Sequence, residues 1–133
     1  MATIKDFEEL EVWKLAGEIC QDINRITHYP DLSKNYALVD QLRRSSGSIM
    51  DNIAEGFERG GTREFIHFLS IAKGSNGELR SQIIRAFDQA YISNEEFQII
   101  KLKIMHEGNQ LGHFSMYLKN SGFKGSKFRE IEK

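Results

Sequence analysis

Glu64-Phe65-Ile66-His67 is the first spacing in this 133-residue chain that could do chemistry. Glu-x-x-His on a bundle helix is half of a carboxylate-bridged di-iron site, which also needs a second Glu-x-x-His and two more inward glutamates. No second copy exists, and His67 falls away from the Phe65/Phe68 side, so a solvent-facing histidine is expected. His106-Glu107 is followed by Gln110 where a zinc-protease helix requires histidine. His28 and His113 have no evident partners. The glycines of Gly56 to Gly61 lack both the preceding strand and the lysine-serine pattern of a phosphate loop, so they read as a turn. Cys20 is the one cysteine; it can form neither an internal disulfide nor a cysteine zinc site and reads as a small core residue. No nucleophile, base and orienter can be assembled. The sequence therefore predicts no enzyme, no catalytic residue, no metal and no cofactor.

A polar stripe is more informative. Gln41, Arg44, Ser45, Ser48, Asn52 and Glu55 follow one another by one, three or four residues, bordering an apolar helix face. Glu64, Ser75, Glu78 and Gln82 flank the core line of the next segment, and Glu107 lies inside the core line of the last. Such a surface could meet a ligand, a nucleic acid or another subunit. Alternatively it is an internal network in which Arg43 or Arg44 neutralises Glu78 or Glu107, since a buried charge is tolerated only when paired. Under that second reading Glu107→Gln lowers the melting temperature. Most other cations are interleaved with acids, as on an ordinary solvated surface. The exception is the C-terminal stretch, where Lys124, Lys127 and Arg129 stand among Phe123 and Phe128 and could contact a phosphate backbone and stack on bases.

Four segments of helical period must position these residues. In the first, Val12, Trp13, Leu15, Ala16, Ile19, Cys20, Ile23, Ile26 and Thr27 share one side, with Glu11, Lys14, Glu18, Gln21, Asp22 and Arg25 on the other. It should stop before Tyr29-Pro30. The second should run from about Tyr36 to Phe57 over Leu38, Val39, Leu42, Ile49, Ile53 and Phe57. Small residues at Ser45-Ser46-Gly47-Ser48 would let a neighbouring backbone approach, and the Arg59-Gly60-Gly61 turn would supply a left-handed cap. Thr62 is the expected N-cap of the third segment, whose core line reads Phe65, Phe68, Ala72, Ser75, Leu79, Gln82 or Ile83, Ala86 and Ala90. Ser93-Asn94-Glu95-Glu96 has the form of a capping box. Phe97, Ile100, Ile104, Glu107, Leu111, Phe114 and Leu118 then form the fourth core line.

Long helices with short connections force antiparallel neighbours, so the predicted fold is an all-α, antiparallel, up-down-up-down four-helix bundle. The bundle is expected over residues 1–121, with a flexible basic tail at 122–133. Length allows one core and not two. Net charge is −1, so overall electrostatics do not draw the chain to phosphate. No apolar run is long enough to span a bilayer and no secretory h-region opens the chain, which predicts a cytoplasmic protein without a membrane partner.

The run Gln41-Leu42-Arg43-Arg44-Ser45-Ser46-Gly47-Ser48-Ile49-Met50-Asp51-Asn52-Ile53-Ala54-Glu55-Gly56 resembles a bacterial family. Glu64-Phe65, Phe68-Leu69, Ala72-Lys73-Gly74-Ser75, Glu78-Leu79 and the opening Phe7-Glu8-Glu9-Leu10-Glu11-Val12-Trp13 add to the resemblance. The family is that of four-helix-bundle proteins named for open reading frames in intervening sequences of 23S rRNA genes. The resemblance implies a non-catalytic bundle that assembles into a ring, a homopentamer. It extends to the accessory variability protein of diversity-generating retroelements, which implies RNA or a nucleoprotein as partner; the alternative is a purely structural or protein-interaction module that binds no nucleic acid. In a ring, one flank of a bundle meets a different flank of the next, which would make Gln41, Arg44, Ser48, Asn52 and Glu55 interface residues.

Overall fold

The computed structural model describes residues 4–121. Four helices follow one another: α1 (Glu11–Ile26), α2 (Tyr36–Glu58), α3 (Thr62–Asp88) and α4 (Asn94–Ser121). Short 3-10 turns at Phe7–Glu9 and Leu32–Lys34 precede α1 and α2. The tail, with Lys124, Lys127 and Arg129, lies outside the described residues.

Each helix packs against two others, α1 on α2, α2 on α3, α3 on α4 and α4 on α1, which closes a four-cornered ring around one core. Residue contacts fix the directions. Between α2 and α3, Gln41 meets Arg85, Ser45 meets Gln82, Ser48 meets Ser75 and Phe57 meets Phe65. Rising numbers on one helix meet falling numbers on the other, so the pair is antiparallel. The same holds for α3 and α4, where Phe87 stacks on Phe97 and Phe65 packs edge-on against Phe114. It holds again for α1 and α4, where Arg25 meets Glu96 and Asp22 meets Lys103. The up-down-up-down arrangement follows from these pairs. No helix among the described residues is long and apolar enough to cross a membrane.

Apolar burial drives the assembly. Ala16, Ile19 and Ile23 of α1, Leu38, Leu42, Ile49 and Ile53 of α2, Phe65, Leu69 and Leu79 of α3 and Ile100, Ile104 and Leu111 of α4 are almost wholly removed from solvent. The expected α4 line is buried residue for residue, Glu107 included. On α3 the line is shifted: Leu69 and Asn76 are buried, while Phe68 is half-buried over the α2 edge. A strict alternation of three and four steps drifts from the true 3.6-residue period over 27 residues, and the seam changes rows. On α1 the surprise is Asp22, placed by periodicity on the outer face but buried against α4.

The helix ends also depart from expectation. Gly60 takes the left-handed conformation at φ +85°, as the turn after α2 requires. Gly61, not Thr62, occupies the cap of α3; Thr62 opens the helix, and its buried hydroxyl has no hydrogen-bond partner among the described residues. Ser93 Oγ accepts from the Glu96 amide at 3.2 Å, but the Glu96 carboxylate turns to Arg25 and to Tyr29, whose hydroxyl donates to it at 2.6 Å. That bond is the first cause of the raised Tyr29 pKa, with burial second.

Ala90 is not a core residue. It lies beyond the end of α3 at φ +62°, exposed. Its amide donates to Phe87 O and the Tyr91 amide to Ala86 O, the two bonds of a Schellman cap whose pivotal position normally carries glycine. A side chain held there costs about 1 kcal/mol. Ala90→Gly is therefore expected to raise the melting temperature by a few degrees in thermal unfolding.

Candidate functional site

Three polar features break the apolar seams. The first runs between α2 and α3. Serines at 45, 48 and 75 line the contact of the two helices, and each hydroxyl needs a partner once water is excluded. Ser45 Oγ donates to Gln82 Oε1 at 2.6 Å, and Ser48 and Ser75 share a bond of 2.9 Å. Asn52 Nδ2 donates to Ser48 Oγ at 2.9 Å, and Arg85 donates to Gln41 Oε1 at 2.9 Å. Above this ladder lies a shallow cleft of about 290 Å³ bordered by Gln41, Arg44, Ser45, Ser48, Ser75, Glu78 and Gln82.

The structure thus brings together Gln41, Arg44, Ser48, Ser75 and Glu78, with Asn52 extending the ladder by one turn. It separates the rest. Arg43 points the other way and donates to Thr27 Oγ1 near α1 at 3.3 Å. Arg44 pairs with Asp40 at 2.9 Å, a surface contact between exposed side chains. Glu55 pairs with Arg59 on its own helix at 2.9 Å, and Glu64 stands exposed in the first turn of α3. His67 is exposed with its ring edge-on to Phe68. No group of three His, Cys, Asp or Glu among the described residues is placed to hold a metal ion.

The second feature clasps α1 to α4. Asp22 accepts from Arg25 at 2.9 Å and from Lys103 Nζ at 2.9 Å, while Arg25 also reaches Glu96 at 3.1 Å. Asp22 is buried because two cations compensate it. Nothing in the local sequence marked it, since Lys103 is 81 residues away.

The third feature is Glu107. It is 0% exposed, and neither carboxylate oxygen has a hydrogen-bond partner among the described residues. The expected neutralisation by Arg43 or Arg44 does not occur: Arg43 is bonded to Thr27 and Arg44 to Asp40. Lys103, one turn earlier on α4, is held by Asp22 and lies 3.8 Å from Glu18. Burial alone pushes the Glu107 carboxyl up to about 8. Beside it the α1/α4 groove, about 380 Å³, is lined by Glu11, Val12, Lys14, Leu15, Glu18, His106, Glu107 and Gln110.

Cys20 is half-buried rather than core, its thiol donating to Ser46 O at 3.2 Å across the α1/α2 seam. Burial is the main cause of its raised pKa.

An apolar surface completes the picture. Ile99, Leu102, Met105, Met116 and Tyr117 are exposed, Leu102 by 65%. At 100° per residue Leu102, Met105 and Met116 lie nearly half a turn from the buried line of α4, and Ile99 and Tyr117 about a third of a turn. The outer half of the helix thus carries exposed apolar side chains interleaved with Gln98, His106, Asn109 and His113, a signal readable in the sequence once the buried line is assigned.

Comparison with known proteins places this architecture. The chain is similar to a solved protein of unknown function from the S23 ribosomal protein family of Bacteroides thetaiotaomicron. The match has a TM-score of 0.72 at 22% identity and covers 78% of this chain and 97% of that one, a likeness of fold. No curated protein matches. The model of the 23S rRNA-intervening sequence proteins matches residues 8–113, from the turn before α1 through most of α4, and so takes in the α2/α3 ladder, the α1/α4 clasp and Glu107. The chain belongs to the family of 23S rRNA-intervening sequence proteins.

Proposed function

We propose that this protein is a non-catalytic building block: a four-helix bundle that assembles with copies of itself and works through the surface so formed. The carrying observation is the set of exposed apolar side chains on the outer half of α4, Ile99, Leu102, Met105, Met116 and Tyr117. A bundle helix satisfied by its own core needs one apolar stripe, and further apolar side chains on its outer half call for another protein surface. In a cyclic assembly that outer half meets a different flank of the next copy. Five copies is the number the family resemblance implies.

The α2/α3 ladder fits the same reading. Its hydroxyls and amides bond mainly to one another, which sets the register of two close helices. Such paired groups are poor candidates for proton transfer.

The substitution Leu102→Glu tests the proposal. It places a carboxylate among these exposed apolar side chains without touching the core, so the chain should keep its helical circular dichroism while its mass in solution falls to that of one chain. An unchanged mass, with the fold intact, would refute α4 as the contact.

RNA as a further partner rests on two observations, the family's association with 23S rRNA intervening sequences and the basic, phenylalanine-bearing tail with Lys124, Lys127 and Arg129. Contact through the tail would make RNA binding fall steeply with salt and vanish on removal of residues 122–133. Binding that survives that truncation would place the contact elsewhere.

A further inference from the structure

Glu107 is the one buried charge-bearing group among the described residues whose oxygens both lack a hydrogen bond. A carboxylate removed from water without a partner is among the most costly arrangements a core can hold. The two cations of the α1/α4 clasp are held elsewhere. Lys103 is on Asp22, and Arg25 is shared by Asp22 and Glu96. Lys14 is exposed on the groove rim and makes no hydrogen bond to Glu107. His106, also exposed, is the remaining titratable group of α4 that borders the groove.

The groove above Glu107 has a definite chemical character. Val12 and Leu15 give it apolar walls, Glu11 and Glu18 give it acidic rims, and Gln110 contributes an amide. A metal ion would need several ligands converging on one point, and no such group of His, Cys, Asp or Glu stands together among the described residues. A single deep carboxylate between apolar walls matches instead a cation that carries its own hydrogen-bond donors on a methylene stem.

We propose that the α1/α4 groove is a binding slot for a primary alkylammonium group, its stem between Val12 and Leu15 and its head on the Glu107 carboxylate. Two sources share this chemistry: a free alkylamine, or a lysine side chain of another copy reaching into the groove. For a free alkylamine the slot belongs to a single bundle and stands independently of the assembly proposed above; for a lysine of another copy it rests on that assembly.

The test is thermal unfolding of the full chain at pH 9, where Glu107 is ionised and n-butylammonium keeps its proton. Titration with n-butylammonium chloride against sodium chloride at equal ionic strength should raise the melting temperature by about 5 °C and saturate. Glu107→Gln should abolish the difference between the two salts. If a lysine of another copy already fills the slot, butylammonium should instead lower the mass of the wild-type assembly at pH 9 where sodium does not, and Glu107→Gln should lower it without added amine. A second variant guards against a misfolded Glu107→Gln. Gln110→Lys sets an ammonium one turn along the same helix face, and should raise the pH 9 melting temperature while removing the butylammonium response. The proposal is overturned if butylammonium and sodium act alike on the wild type at every protein concentration, or equally on wild type and Glu107→Gln.

Discussion

Gly56→Ala is expected to lower the melting temperature of this protein by roughly 5–10 °C, although alanine is the better helix former by about 1 kcal/mol. The reason is local. A Cβ built on Gly56 would lie 2.6 Å from Phe68 Cβ and 3.0 Å from a Phe65 ring carbon. Phe68 Cβ is fixed to its own backbone and cannot swing aside, so α2 and α3 must part just before the Arg59-Gly60-Gly61 turn. Overpacking of this kind costs about 1–3 kcal/mol and outweighs the gain in propensity. Gly47 supplies the control. It sits in the same helix with nothing within 4 Å of its would-be Cβ. Gly47→Ala should raise the melting temperature by a few degrees, because only propensity acts there. Thermal unfolding of the two single variants decides the matter, and equal shifts would refute the close approach at Gly56.

The second large effect is a dependence of stability on pH set by Glu107. Its carboxyl titrates at about 8 in the folded chain and near the ordinary 4.5 when unfolded. Below 4.5 both states hold the proton and the group contributes no slope. Between 4.5 and 8 the folded chain keeps a proton that the unfolded chain has released, so stability falls as pH rises, by up to about 1.4 kcal/mol per unit. Above 8 both are ionised and the loss is complete. At low protein concentration and without added amine, the wild type should lose on the order of 10 °C between pH 5 and pH 9. Glu107→Gln should remove that fall, and Glu107→Leu should stand above the wild type at pH 7 because a buried partnerless acid gives way to an apolar side chain. Parallel pH profiles for the wild type and Glu107→Gln would contradict this account. The sign matters: a paired Glu107, as the sequence suggested, would have made Glu107→Gln destabilising.

The fold was legible because burial repeats along each helix. Every residue of the expected α4 line, from Phe97 to Leu118, is in the core. Polar partners were not legible, because periodicity assigns a face and not a neighbour. Asp22 looked like an outer residue until Lys103 arrived from α4 to compensate it. Arg43 and Arg44 were adjacent candidates for Glu107, yet the rotation of about 100° between neighbouring helix positions sends Arg43 to Thr27 and leaves Arg44 on Asp40. Asn76 escaped notice because its partner lies on another helix: Nδ2 donates to Ile104 O, and Oδ1 has no partner among the described residues. Ala90 was drawn into the α3 line by its apolar type, where the chain had already turned through a left-handed residue. The polar ladder is the mixed case. The sequence placed Ser48 and Ser75 beside their cores, and only the antiparallel register made them partners.

One quantity bears most directly on the claim that this bundle works as an assembly: the mass of the full chain in solution, by light scattering over a range of concentrations. A single chain weighs 15.3 kDa. The expected value is a discrete multiple of that mass, five-fold if the ring has the size the family resemblance implies, collapsing to one chain in Leu102→Glu. A wild-type mass of one chain at every concentration would contradict it.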